Sequence, residues 1–204
     1  FIMARETWRE NQRAIDALEG RETDHVIDIG CGHGRSLGAL AARAASGRVV
    51  GVDPSDLMTE IAVTRNNSLV KAGRVKVTVA SAADLPFADD TFDKALCVHV
   101  IYFWRDLRTS FREIALVLKP GGRLVLAFRT AADQAVVRAF PADVYCFRAT
   151  AEVIGALRSA GFSIDEGADQ SQEQAGKSIF LAEMKRDAAA SQAKRSAKGQ
   201  NDPH

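Results

Sequence analysis

Short apolar runs rich in Val, Ile and Leu recur along the chain, and longer segments with helical spacing separate them. The runs at 25–29, 48–52, 74–79, 92–98 and 123–128 predict five strands. The stretches 35–45, 55–71 and 107–118 predict helices between them. The second of these opens on Pro54, Ser55 and Asp56 and stops at Gly73. Strands that are apolar throughout and alternate with helices predict a doubly wound α/β sheet, mostly parallel, with helices on both faces. The pattern changes after residue 150. A helix at 151–160 leads through Gly161 into strand-like runs at 162–165 and 178–184 joined by a polar loop. These predict a C-terminal antiparallel hairpin on one sheet edge and raise the strand count to seven. At the other end, residues 3–18 have the apolar spacing of an amphipathic helix, and 1–20 is read as a helix packing on or capping the site. The α/β domain spans 21–185. From Arg186 onward the residues are small and polar without apolar period, which predicts a disordered tail over 186–204.

Composition narrows the class. The 204 residues are 47% hydrophobic and 26% charged, with a formal net charge of +1, enough for a single well-filled core. No apolar run approaches the roughly 18 residues that a membrane span needs. Near-neutral charge argues against a phosphate-backbone ligand, so nucleic acid is not the expected partner. The charged segment 3–18 does not read as a signal peptide. Cys31, Cys97 and Cys146 are odd in number and widely spaced, which suggests neither a disulfide framework nor a metal site and fits a reducing cytoplasm.

The segment VIDIGCGHG, residues 26–34, carries the strongest chemical signal. A strand ends at Ile29, and Gly30, Gly32 and Gly34 follow before a helix begins. Glycines there permit a strained turn, close approach of a ligand to the backbone, and tight packing of helix on strand. Asp53 ends the next strand, about twenty residues on, where a carboxylate can accept both hydroxyl hydrogens of a ribose. The turn and Asp53 together predict an adenosine-type ligand. Dinucleotide-binding turns carry GxGxxG, whereas this one carries GxGxG, because Arg35 stands three positions after Gly32.

Four segments in order, VIDIGCGHG, GVDPSDLM, LPFADDTFDKALCVHVIYFW and LKPGGRLVLAF, closely resemble the class I S-adenosylmethionine-dependent methyltransferases. The chain looks most like the small-molecule enzymes related to ubiquinone and menaquinone C-methylation, the type 11 methyltransferase domain. That resemblance spans about 24–185 and implies a Rossmann-like fold, with S-adenosylmethionine as donor and S-adenosylhomocysteine as product. It implies that Gly30, Cys31 and Gly32 lie against the methionine moiety, with Asp28 near its amino group and the ribose on Asp53. Pro54, Ser55 and Met58 would line the adenine side. Where the family often has an acid for the adenine amino group, this chain has Ser81. Its hydroxyl can still accept a hydrogen bond, the N–H of Ala82 can serve a ring nitrogen, and Asp84 is nearby. Cys97, Val98 and His99 follow, where the family presents backbone to the cofactor and side chains to the acceptor.

Methyl transfer from a sulfonium is an in-line displacement of an activated donor, so the protein mainly positions two groups and excludes water. A base is needed only if the acceptor carries a proton that must leave. His99 is the candidate for it, because histidine is the usual proton acceptor near neutral pH, and Tyr102 is the second candidate catalytic residue. A hydrogen-bonded structural role for His99 stays open, as does a core role for Cys97. Tyr102, Phe103 and Trp104, with Phe140, Tyr145, Phe147 and Trp8, are read as walls of an apolar acceptor pocket. The connection 129–148, carrying Arg129, Arg138 and Arg148, is long enough to act as a lid. The expected acceptor is a small, partly apolar or aromatic metabolite, and the expected state a monomer or homodimer. An NAD(P)-dependent oxidoreductase and a non-catalytic S-adenosylmethionine-binding module are the alternatives. Amine methylation of DNA or protein is disfavoured, because the chain has no adjacent prolines for the (Asn/Asp)-Pro-Pro-aromatic tetrapeptide.

Overall fold

The computed structural model describes residues 2–164 and 179–186. Each run of alternating apolar side chains finds two faces to cover. In β1 (His25–Ile29), Ile27 and Ile29 join one core cluster and Val26 the other. In β5 (Leu118–Arg129), Leu124, Leu126 and Phe128 face the first, Val125 and Ala127 the second. Between these strands lie α2 (Leu37–Arg43), β2 (Arg48–Asp53), α3 (Asp56–Arg65), α4 (Asn67–Lys71), β3 (Val75–Val79), β4 (Phe92–Val98) and α5 (Leu107–Val117). Helix α1 (Ile2–Ala17) precedes them. After β5 come α6 (Gln134–Ala139), α7 (Thr150–Ser159), β6 (Phe162–Ile164) and β7 (Ile179–Arg186). Ala14 and Ile15 of α1, Leu37 and Leu40 of α2 and Ala62 of α3 fill one core cluster; Phe111 and Ile114 of α5 with Val153 and Leu157 of α7 fill the other.

The strand order is β3-β2-β1-β4-β5-β7-β6. Five strands, β1 to β5, run parallel, and β7 is antiparallel to both β5 and β6. The order reverses between β1 and β4, which opens a crevice at the carboxyl ends of these two strands, where ligands bind in open α/β sheets. The turn of the expected terminal hairpin and residues 187–204 of the expected tail lie outside the described residues.

Several boundaries differ from the sequence reading, each for a local reason. The helix expected at 55–71 is two, α3 and α4, meeting at Asn66. The Asn66 amide donates to the carbonyls of Ala62 and Gly34, each at 2.9 Å, so the break ties α3 to the glycine turn. Residues 35 and 36 precede α2 rather than open it, because the Ser36 hydroxyl is turned inward to donate to the buried Asp28 carboxyl. Helix α5 passes into β5 at Leu118, earlier than the expected strand at 123. Pro120 forces its predecessor out of helical geometry, and Leu118 is already extended at φ −80°, ψ 137°. The connection 129–148 is not structureless: it holds α6, whose N-cap Asp133 accepts from the N–H of Val136 at 3.1 Å.

Candidate functional site

The three glycines after β1 each answer a different spatial demand. At Gly30, φ +74°, a Cβ would stand 2.2 Å from a Val100 methyl, so the turn and the segment after β4 touch only because no side chain intervenes. At Gly34, φ +73°, a Cβ would stand 2.7 Å from Ala62 of α3, a demand of helix packing. At Gly32, φ +51°, a Cβ would meet nothing within 4 Å: its open side faces a cavity. The turn is pinned to the neighbouring strand, because the N–H groups of Gly30 and Cys31 both donate to the Val52 carbonyl, at 2.8 and 3.0 Å.

Asp53, at the end of β2, holds the same turn from the other side. One carboxylate oxygen accepts from the N–H of Gly32 at 2.9 Å, the other from the N–H of Ser55 at 3.0 Å. A carboxylate has about four acceptor positions, so two remain for hydroxyl donors in the cavity. Ser55 caps α3 by accepting from the N–H of Met58.

The cavity has a volume of about 650 Å³, within the roughly 300–1,000 Å³ of small-molecule sites. Gly30, Gly32, Asp53 and Pro54 line it together with Ser81 and Ala82 and with Val98, His99, Phe103 and Trp104. Thus most of the residues expected from the sequence converge on one space, although they come from four different segments. Others stand behind its wall. Cys97 is fully buried in the core, and Cys31 directs its sulfur at Gly51, whose added Cβ would lie 2.9 Å from it. Asp28 is 3% exposed beneath the turn, paired with Ser36. Burial, the Ser36 hydrogen bond opposing it and the nearby Asp53 charge leave the Asp28 carboxyl pushed up to about 6. Met58 is not among the lining residues. Trp8 packs under the Arg35 guanidinium, 4.2 Å from its ring centre, and is also absent from the lining.

His99 sits just past β4 with φ +56°, unusual for a residue with a side chain, and its N–H still donates to Ala127 of β5 at 2.8 Å. Its Nδ1 is 3.1 Å from the Tyr102 hydroxyl and its Nε2 is 2.5 Å from Glu10 of α1. Arg129 joins them: its guanidinium donates to Glu10 at 2.6 Å and to Asp133 at 3.3 Å, and its N–H donates to the Tyr102 oxygen at 2.5 Å. Glu10 was not singled out from the sequence. The available signal was its position four and eight residues before Ala14 and Leu18, a carboxylate on an otherwise buried helical stripe.

The aromatic residues divide. Phe140, Tyr145 and Phe147 form one cluster with Tyr102 and Phe103 through tilted and edge-on ring contacts at separations of 4.7–6.3 Å, whereas Trp104 packs edge-on against the core residue Phe111. Phe103 remains 53% exposed and lines the cavity, whereas Tyr102 is 6% exposed and does not. Of the three arginines in the long connection, Arg129 is paired as above and Arg148 pairs with Glu152 at 2.8 Å. No cluster of side chains able to hold a metal ion occurs among the described residues. No helix there is long and apolar enough to cross a membrane.

Comparison with known proteins agrees with this geometry. Residues 27–126 match the family described as a methyltransferase domain. The O-methyltransferase cnsE of Penicillium expansum is 37% identical over 110 residues, 54% of this chain and 40% of that protein. The ubiquinone/menaquinone biosynthesis C-methyltransferase UbiE of Geotalea daltonii is 32% identical over 121 residues, 59% of this chain and 51% of that protein. The chain spans about half the length of these curated relatives. The geranyl diphosphate C-methyltransferase structure from Streptomyces coelicolor A3(2) superposes with a TM-score of 0.72 at 19% identity, covering 87% of this chain and 80% of that one, a likeness of fold. The glycine turn and Asp53 both lie within residues 27–126, the part of the chain that is similar to the methyltransferase domain family.

Proposed function

We propose that this protein transfers the methyl group of S-adenosylmethionine to a small, partly apolar or aromatic metabolite by in-line displacement. The observation that carries this is the cavity on which Gly32 opens and into which Asp53 faces with two acceptor positions unspent. Gly30, Cys31 and Gly32 offer backbone to the methionine moiety, Asp53 takes the ribose, and Pro54, Ser81 and Ala82 border the adenine. Val98 and His99 stand where donor and acceptor meet. Asp28, buried beneath the turn and bonded to Ser36, is set back from the cofactor. The exposed Phe103 is the aromatic side chain toward the acceptor; Tyr145, Phe140 and Phe147, expected as walls, are not among the residues that line the cavity, and Tyr145 packs behind Phe103. Helix α1 closes the site from above, and β6 and β7, antiparallel in register, are the arms of a terminal hairpin. Three free cysteines fit a reducing compartment such as the cytoplasm.

Titration calorimetry with S-adenosylmethionine and with NADH tests the reading. Binding of the sulfonium nucleoside alone is expected, and binding of NADH alone would sink it. Asp53→Ala is expected to weaken cofactor binding by about 1–3 kcal/mol through two lost charge-assisted hydrogen bonds. Unchanged affinity in that variant would show that the ribose lies elsewhere.

A further inference from the structure

The ionisable side chains that line the cavity are unequally spent. Asp53 holds the glycine turn and keeps two acceptor positions for a ribose. His99 has both ring nitrogens engaged, Nε2 by Glu10 at 2.5 Å and Nδ1 by the Tyr102 hydroxyl at 3.1 Å, so neither is left for a ligand. Asp106 caps α5: one carboxylate oxygen accepts from the Thr109 hydroxyl at 2.6 Å and the other from the N–H of Arg108 at 2.9 Å. Those bonds hold its carboxyl below the ordinary value, so it lines the cavity as a negative charge turned to its own helix. Arg105 differs from all three. Among the described residues it is the sole lysine or arginine lining the cavity, and its guanidinium makes no hydrogen bond or ion pair there.

The backbone sends Arg105 the same way as Phe103. Between them Trp104 is extended, φ −85°, ψ 121°, and packs its ring against the core residue Phe111 at 5.4 Å. An extended residue directs its two neighbours away from its own side chain, so Phe103 and Arg105 leave the chain together. Both are exposed and both line the cavity. Their backbone is braced, because the Trp104 carbonyl accepts from the Arg148 guanidinium at 3.2 Å and Arg148 is itself paired with Glu152. An apolar ring and an unspent guanidinium fork therefore stand side by side in one cavity.

Resting on the methyltransferase reading, in which Phe103 faces the acceptor, we propose that Arg105 is a specificity-determining residue that binds a carboxylate of the acceptor while the flat apolar body of that molecule lies on Phe103. A planar guanidinium donates two parallel hydrogen bonds to one carboxylate. The charge balance selects a monoanion. Asp53 and Asp106 line the same cavity, so a phosphate or diphosphate would bring two or more negative charges to one cation beside two carboxylates. The acceptor class is a small, flat monocarboxylic acid, its carboxylate serving as the handle and another of its atoms taking the methyl group.

Calorimetry on the full chain tests this, with and without saturating S-adenosylhomocysteine, using benzoate against benzamide, cinnamate against cinnamamide, and phenyl phosphate as the more highly charged probe. Each acid is expected to bind at least about tenfold more tightly than its amide, and phenyl phosphate no more tightly than benzoate. In Arg105→Gln the acids should fall to the level of the amides while affinity for S-adenosylhomocysteine holds. Arg105→Lys, which keeps the charge without the fork, should lie between. Acids that bind no better than their amides, a preference that survives Arg105→Gln, or phenyl phosphate as the tightest probe overturns the proposal. So does a loss of S-adenosylhomocysteine affinity in Arg105→Gln, which would assign the guanidinium to the cofactor's own carboxylate. Failure of the wild type to bind S-adenosylhomocysteine would instead remove the methyltransferase reading, and the acid–amide comparison is read without that ligand as well.

Discussion

The two halves of the site are built in opposite ways. On the β1–β2 side, the turn at 30–34 and Asp53 lie within a single strand–helix–strand unit and act largely through backbone, with three positive-φ glycines and carboxylate-to-amide hydrogen bonds. On the β4–β5 side, Glu10, the His99–Tyr102 segment and Arg129 come from three separate parts of the chain and act mainly through side chains, in a nearly buried ionic network. The first half resists change through shape, because atoms added at Gly30 or Gly34 have nowhere to go. The second resists it through charge, because any member removed leaves another desolvated without its partner.

Substitutions sharpen that contrast. The largest effect is expected on the ionic side: Glu10→Ala strands Arg129 and His99 and should cost about 3 kcal/mol of stability, read from urea denaturation. A loss under half of that would mean that water replaces the carboxylate and the network is softer than drawn. On the turn side, Gly30→Ala should cost about 2–3 kcal/mol, since a methyl must displace Val100 and hold φ near +74°. A thermal scan in which this variant matches the wild type would show that the turn can slide. Gly32→Ala is the internal control, with open space around its Cβ: it should cost only about 1 kcal/mol of stability, for the backbone conformation alone. Its cofactor affinity should fall further than its stability does, and equal losses would mean that the open side of Gly32 does not face the ligand.

Asp28, beneath the turn, is a titratable group whose charge works against the fold. Its folded value near 6 lies above the ordinary 3.8, so the folded state holds the proton more tightly, and stability falls as pH rises from about 4 to about 6. Two units correspond to at most about 3 kcal/mol. Asp28→Asn keeps a group able to accept from Ser36 and removes the charge. The variant should therefore gain on the wild type above pH 6 and lose that advantage at pH 4. A stability difference independent of pH would show that Asp28 is not ionised at the cost assigned here.

Much of this was legible in the sequence, for a physical reason. Strand β1 has the bounds its sequence predicts and α5 lies within one residue of them, because Val26, Ile27 and Ile29 make a short apolar run buried on both faces and an amphipathic helix must repeat with its turn. The glycines and Asp53 were legible because backbone strain and close approach restrict residue type at each position. Where local rules met tertiary demands the reading slipped: Asn66 breaks a helix that its own segment would continue, since its amide is recruited by Gly34, thirty-two residues away. Ser36 is drawn from a helix start to a buried carboxyl in the same way.

The sequence alone therefore determined the parallel strands, the glycine turn and the carboxylate beside it, since these depend on local periodicity and on which residues tolerate a strained backbone. Only the tertiary structure decided that Glu10 meets His99, that Tyr102 turns its hydroxyl to Arg129, and that Asp28 and Cys97 stand behind the cavity wall. Ion pairs and hydrogen bonds between distant segments carry no period and no fixed spacing, so nothing in the order of residues announces them until the chain has brought them together.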